Sequence, residues 1–405
     1  MTESTFRVYG ARWAVLVAFM LAVAFNQLLW ISFAPITGNA AAFYGVSDLS
    51  IGLLSMSFMI AYLFVSVPAS WVIDTYGFRV AVAIGAALTA VFGMMRGLLG
   101  ADYNLVLLAQ IGIAIGQPFI LNAVTKVAAR WFPLGERATA SGLGSLAMYL
   151  GILGGMLLTP YITLQVGIQR MLLYYGVGAV VAGVVFLAVA RERPPTPPGP
   201  AGDEARALMF DGLKQALRKR DVLLLMLIFF IGLGVFNSVT TWIEDIVRPR
   251  DFSITQAGLA GGLMIVGGIV GALVMPTLSD RYRRRVPFIL IALTLAIPGL
   301  AGVTFATAPW LLQASSFLLG FSLLSAGPIG FQYGAEIARP TPEGTSNGLL
   351  LLMGQISGIL FIFAMDAFKS PSTGSMTSSL LALLGLMAAA VLIATRLHES
   401  EVLAS

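Results

Sequence analysis

An all-α membrane protein of twelve transmembrane helices, arranged as two pseudo-symmetric six-helix bundles, is the fold this sequence predicts, and three observations predict it. Hydrophobic residues fill 58% of the 405 positions and charged residues only 11%, against roughly 25% charged in soluble domains, too few to cover a water-facing surface. Twelve apolar stretches follow one another, each offering the ~20 residues a helix needs to cross the hydrocarbon core. The loops then repeat: Asp74 recurs as Asp280 and Gly142 as Gly348, 206 residues on, and at the same spacing Arg130 faces Glu336 and Arg137 faces Glu343 with inverted sign. Two six-helix halves on one plan, joined by a charged linker, are the layout of a secondary transporter.

The spans are predicted near residues 12 to 37, 48 to 71, 78 to 99, 104 to 130, 138 to 160, 170 to 190, 222 to 248, 255 to 277, 286 to 305, 309 to 335, 344 to 367 and 375 to 396. They divide the chain into an N-terminal bundle at 1–190, a cytoplasmic linker at 191–221 and a C-terminal bundle at 222–405.

The first span is read as a span and not as a secretory leader, because its apolar run is too long and no small-residue cleavage pattern closes it. Halfway along it Asn26 and Trp30 stand one helical turn apart, on one stripe. Between the second and third spans runs Ser70-Trp-Val-Ile-Asp74-Thr-Tyr-Gly77-Phe-Arg79. The third span carries Arg96 near its outer end, where the long stem lets the guanidinium snorkel to the interface. The fourth holds Gln117 and Asn122 at mid-depth and Lys126 near its cytoplasmic end, and the fifth holds Tyr149.

The linker opens Arg191-Glu-Arg-Pro-Pro-Thr-Pro-Pro-Gly-Pro, which cannot be helical because proline lacks the amide hydrogen and clashes with the preceding turn. From 204 to 220, Leu208, Phe210, Leu213 and Leu217 alternate with charges, predicting a short amphipathic helix on the cytoplasmic face. In the seventh span Asn237, Thr241 and Glu244 form a stripe, and Phe236 stands 206 residues after Trp30. After the eighth span comes Asp280-Arg281-Tyr-Arg283-Arg284-Arg285. The tenth span carries Gln332 and Tyr333, the eleventh Gln355, and the single histidine, His398, lies beyond the twelfth.

Net charge of +5 invites a nucleic-acid partner, but Lys and Arg gather in the even-numbered loops and both tails, so the positive-inside rule accounts for them and places both termini in the cytoplasm. No cysteine is present, which excludes disulfides and thiolate metal sites. There is no phosphate-cradling Gly-rich Lys loop, no metal-ligand cluster and no nucleophile beside a base, so no enzyme, metal or cofactor is expected. The expected partners are a small-molecule substrate and the lipid bilayer, with no nucleic acid, and the chain is expected as a monomer in the plasma membrane.

Charge at depth narrows the substrate, since an unpaired charge at the bilayer centre costs at least about 2.5 to 3.5 kcal/mol. No Lys or Arg falls at mid-depth, which suits phosphate esters and dicarboxylates poorly. Glu244, Asp245 and Asp366 lie toward the outer end, where they would attract cations; Glu244 is also the candidate for proton coupling.

The acid, glycine turn and basic residues after the second and eighth spans resemble the signature loop of the major facilitator superfamily, and the span count, half-repeat and linker agree over the whole chain. Ser70 and Pro276 stand where the opening glycine is usual, and Arg283 replaces the second loop's glycine. The resemblance implies a ligand site at mid-bilayer between the halves, and a cytoplasmic latch built from Asp74, Arg79, Arg130, Arg137, Asp280, Arg281, Glu336 and Glu343. The fifth-span run from Gly151 to Pro160 lacks the Gly-Pro pair typical of the superfamily's antiporters.

A second resemblance rests on Asn26-Gln-Leu-Leu-Trp30, Gln117-Pro-Phe-Ile-Leu, Ala129-Arg-Trp-Phe, Pro342-Glu-Gly-Thr-Ser-Asn-Gly-Leu-Leu350 and Gln355-Ile-Ser-Gly-Ile-Leu-Phe361. These stretches look like those of the feline leukaemia virus subgroup C receptor family, whose members are linked to choline and ethanolamine transport and to haem export. It implies that Trp30 walls a quaternary ammonium and that Gln117 and Gln355 bond the ligand's polar end. Asn237 stands beside Phe236 where that family carries a tyrosine.

The reading that follows is a facilitative carrier of a small organic cation or amphipathic metabolite. Its substrate-binding candidates are Asn26, Trp30, Gln117, Asn122, Phe236, Asn237, Thr241 and Gln355. A proton-driven exporter of drugs or metabolites is the alternative, with Glu244 as its titratable group. Haem export is disfavoured, because His398 lies in the tail and no basic partner for a propionate stands at mid-depth. A non-transporting receptor is disfavoured by the latch loops.

Overall fold

The structure, a computed structural model, describes residues 6–198, 214, 216–341 and 343–400. It divides into two compact units, Met1–Asp203 and Glu204–Ser405. Twelve helical segments among the described residues are long and apolar enough to cross a membrane. The amphipathic linker helix expected at 204 to 220 lies largely outside the described residues.

The first unit comprises α1 (Ala11–Ile31), α2 (Thr37–Tyr44), α3 (Asp48–Tyr76), α4 (Phe78–Leu98), α5 (Tyr103–Leu121), α6 (Val124–Trp131), α7 (Arg137–Val166) and α8 (Ile168–Val189). The second comprises α9 (Arg220–Thr241), α10 (Ile243–Val247), α11 (Ile254–Tyr282), α12 (Val286–Phe305), α13 (Pro309–Ile337), α14 (Glu343–Ala367) and α15 (Thr377–Ala394).

Three predicted spans are discontinuous. The first breaks after Ile31 because Pro35, four residues on, has no amide hydrogen for the Ile31 carbonyl; a 3-10 turn at Ala34–Ile36 carries the chain into α2. The fourth breaks at Asn122, one turn after Pro118. The seventh breaks at Trp242, whose indole Nε1 donates to the Ile362 carbonyl 3.2 Å away.

Other helices run past their predicted ends, α7 to Val166 among them. α3 continues to Tyr76 and α11 to Tyr282, so Asp74 and Asp280 sit on the last helical turn and not in an open loop. Apolar character stops at the membrane edge, whereas helical hydrogen bonding continues until the backbone turns away. Gly77 makes that turn in the first unit at φ 91°. Its repeat mate Arg283 makes it in the second at φ 51°, in the left-handed region that usually favours glycine.

Within the second unit α11 and α13 pack backbone to backbone. A Cβ on Gly267 or Gly271 would overlap the carbonyls of Phe317 and Phe321, and one on Gly320 would overlap that of Met264. Small residues at helical spacing permit such approach where lipid supplies no hydrophobic drive between helices. In the first unit an apolar core of Phe19, Phe78, Phe132 and Phe186 sits under the signature loop.

Candidate functional site

In the first unit the substrate-binding candidates have different environments. Trp30, on the last turn of α1, is buried; its Nε1 donates to the Ser55 carbonyl of α3 at 3.1 Å, and its ring lies 6.5 Å from that of Phe58. Asn26 is fully buried and faces the bundle: Nδ2 donates to Thr89 Oγ1 at 3.0 Å and to the Ile113 carbonyl at 3.5 Å, while Oδ1 accepts from Gln27. Asn122 is engaged in tying α5 to α3, donating to Ser66 and Ser70 and accepting from the Tyr62 hydroxyl at 2.9 Å. Gln117 differs. It is 7% exposed, and its amide has no hydrogen-bond partner among the described residues.

Arg96 corrects the sequence reading. It does not snorkel: the side chain has no exposed surface, and Nη1 donates to the Leu29 carbonyl at 3.0 Å, Ser32 Oγ at 3.1 Å and Gln110 Oε1 at 2.6 Å.

In the second unit Asn237 Nδ2 donates to the Gly354 carbonyl at 3.1 Å, which brings α9 against α14 next to Gln355. Gln355 is half-buried, and its amide has no partner among the described residues. Phe236 is buried, as is Thr241, whose hydroxyl is also without a partner there. Tyr149 on α7 is half-buried. Gln332 and Tyr333 are engaged elsewhere, Gln332 with Glu336 at 3.0 Å and the Tyr333 hydroxyl with the His398 carbonyl at 2.6 Å.

Glu244 and Asp245 are charge-compensated, not free acids awaiting a cation. Glu244 meets Arg248 at 3.4 Å, and the fully buried Asp245 pairs with Arg248 and, at 2.7 Å, with Lys369.

The signature loops carry two networks of different sign. In the first unit Asp74, largely exposed, meets Lys126 of α6 at 3.5 Å. In the second Asp280 pairs with Arg285, whose Nη2 lies 3.2 Å from Glu336, and both ends of that second pair are buried. Burial alone would lower the Arg285 pKa, but hydrogen bonds and attraction from Asp280 and Glu336 outweigh it and hold the guanidinium above its ordinary value. The partner of Glu336 is thus Arg285 of its own unit. Arg130 is half-buried on α6, and Arg137 Nε donates to the Phe132 carbonyl at 3.2 Å. The side chains of Arg79 and Arg281 are exposed, and that of Glu343 lies outside the described residues.

Sequence reasoning treated Lys126 and Arg285 as topology and passed over two acids. Glu192, after α8, accepts from the Arg79 backbone amide at 2.8 Å; Glu399, after α15, accepts from the Arg285 amide at 2.6 Å. Each carboxylate caps the N-terminus of a helix that follows a signature loop, where unpaired amides and the helix dipole favour negative charge. The signal was present: Arg79 and Arg285 are 206 residues apart, and Glu192 and Glu399 are 207 apart.

A sequence profile of the Major Facilitator Superfamily matches residues 12–362. Solute carrier family 49 member A3 of Xenopus tropicalis is 32% identical over 385 residues, covering 90% of this chain and 80% of that protein. Choline/ethanolamine transporter flvcr2b of Danio rerio is 28% identical over 386 residues, covering 89% of this chain and 80% of that one. Among solved structures, a bacterial homologue of the human lysosomal transporter Spinster, inward-facing and unoccupied, superposes with a TM-score of 0.74 at 16% identity over 96% of both chains. At that identity the likeness is one of fold alone.

Proposed function

This chain belongs to the Major Facilitator Superfamily, as a membrane transporter of the solute carrier family 49 type and not an enzyme; on that premise we propose that it is a facilitative carrier of a choline-like quaternary ammonium compound. It works by alternating access in the plasma membrane, both termini cytoplasmic. Trp30 and Phe236 supply aromatic walls. Gln117 and Gln355 bond the hydroxyl end, while the signature-loop networks latch the cytoplasmic side.

The observation that carries this reading is the contrast among the candidate amides. Those of Asn26, Asn122 and Asn237 are engaged within their units, whereas those of Gln117 and Gln355 have no partner among the described residues. An amide that the protein leaves unpaired can bond a polar ligand without giving up an internal hydrogen bond. Cation–π contact adds about 0.5 to 2 kcal/mol and holds the ammonium without an acid that would trap it. The Danio rerio relative, a choline/ethanolamine transporter, supports the same substrate class.

The test is uptake of radiolabelled choline by proteoliposomes. Trp30→Ala is expected to weaken choline by roughly 1 to 2 kcal/mol, about 5- to 30-fold, and Trp30→Phe by less. The uncharged isostere with a tert-butyl group should compete poorly. Equal competition by choline and the isostere overturns the cation site.

A further inference from the structure

Arg96 has no role in the reading above, yet it is among the largest fully buried side chains of the chain. No aspartate or glutamate pairs with it among the described residues, and Nε and Nη2 are buried without hydrogen-bond partners there. A guanidinium held so must have its charge met by something other than a carboxylate.

The geometry shows what meets it. Leu29 stands in the last turn of α1, where carbonyls have lost their backbone donors. Its carbonyl accepts from Arg96 Nη1 at 3.0 Å, Gln110 Nε2 at 3.3 Å and Ser32 Oγ at 3.0 Å. Gln110 also accepts from Arg96 at 2.6 Å, so the arginine and the glutamine brace each other on one carbonyl. The guanidinium carbon lies 5.5 Å from the centroid of the Phe33 ring, on the far side of the same break. The cation therefore sits at the negative end of the α1 dipole, with an aromatic face completing its surroundings. The next residue after Leu29 is Trp30.

We propose that Arg96 is a positioning residue for the substrate site: braced by Gln110, it clamps the break in the first span and so fixes the direction in which Trp30 presents its ring. The proposal rests on the reading that Trp30 meets the substrate. Arginine places a delocalised, weakly hydrated cation there, with Nη1 shared among the Leu29 carbonyl, Ser32 and Gln110 and the guanidinium carbon over the Phe33 ring. A lysine ammonium supplies the charge without the plane.

The test uses the full chain in detergent, labelled with 5-fluorotryptophan, with the Trp30 fluorine resonance assigned by its loss in Trp30→Phe. Arg96→Gln should move or split that resonance, with smaller effects in Arg96→Lys and Gln110→Ala. Arg250→Gln is the control, because Arg250 also holds helix-end carbonyls, Val303 and Ala306, both at 2.8 Å, but in the second unit. A Trp30 resonance that stays in place in Arg96→Gln, or in Gln110→Ala where the first variant does not fold, overturns the proposal whatever the substrate.

A second arm measures choline uptake in proteoliposomes. Arg96→Gln should raise KM by about the 5- to 30-fold expected of Trp30→Ala, and the double variant should be no worse than either single one, since both act through one contact. Losses that multiply overturn the clamp. If Trp30→Ala leaves choline uptake intact while Arg96→Gln still moves the resonance, the clamp stands and the choline reading alone fails.

Discussion

Arg285 and Asp74 hold repeat-related loops by contacts of very different worth. The pair between Arg285 and Glu336 is buried at both ends, with side-chain exposures of 7% and 4%, whereas Asp74 meets Lys126 with its carboxylate 57% exposed. Removing one partner of a buried pair leaves an uncompensated charge and costs about 3 to 5 kcal/mol; an exposed pair contributes about 0 to 1 kcal/mol. Arg285→Ala should therefore lower the thermal midpoint in detergent sharply, while Asp74→Asn should leave it within error and slow turnover more than it weakens substrate binding. A fall in midpoint of equal size for both variants would count against this division. The sequence indicated the acids, their spacing and the sign inversion, but not which base answers each acid. Glu336 is separated from Arg285 by 51 residues, and only the fold brings them together.

At the scale of elements, the contact of α11 with α13 shows how little side chain this fold tolerates at a helix crossing. Gly267 faces the Phe317 carbonyl with no room for a Cβ, whereas one on Gly385 of α15 would meet nothing within 4 Å. Gly267→Leu should destabilise the protein by about 1 to 3 kcal/mol or more through overpacking, and Gly385→Leu should be neutral, both read by thermal unfolding in detergent. Equal midpoints for the two would show that α11 and α13 can separate at no cost. The spans themselves were legible because hydropathy reports burial in lipid directly. Their breaks were less so: Pro35 acts on a carbonyl four residues back, inside a run that stays apolar throughout. The candidate site was legible in depth but not in direction. Helical spacing puts Asn26 and Trp30 on one stripe, yet spacing fixes only their relative phase. Asn26 proves to bond α4 and α5 while Trp30 bonds α3. The same limit kept the sequence from separating Gln117, whose amide is unengaged, from Asn122, which closes α5.

For the molecule as a whole, the compensation of its acids bears on what drives transport. A proton-coupled carrier needs a carboxylate that can take up and release a proton in the course of the cycle. Glu244, the sequence's one candidate, faces Arg248, and its neighbour Asp245 faces both Arg248 and Lys369. A proton entering here would therefore have to displace a cation that already sits on the carboxylate. Glu336, buried near the end of α13, has Arg285 beside it at 3.2 Å. Uptake of choline into proteoliposomes should therefore follow the choline gradient and change little when an imposed pH gradient is collapsed with an ionophore. Glu244→Gln should leave the same gradient dependence, with any effect appearing in stability through the lost pair with Arg248, which keeps Asp245. Proton flux measured with an internal pH dye should be independent of choline; a choline-dependent flux that vanishes in Glu244→Gln would replace the facilitative mechanism with a coupled one.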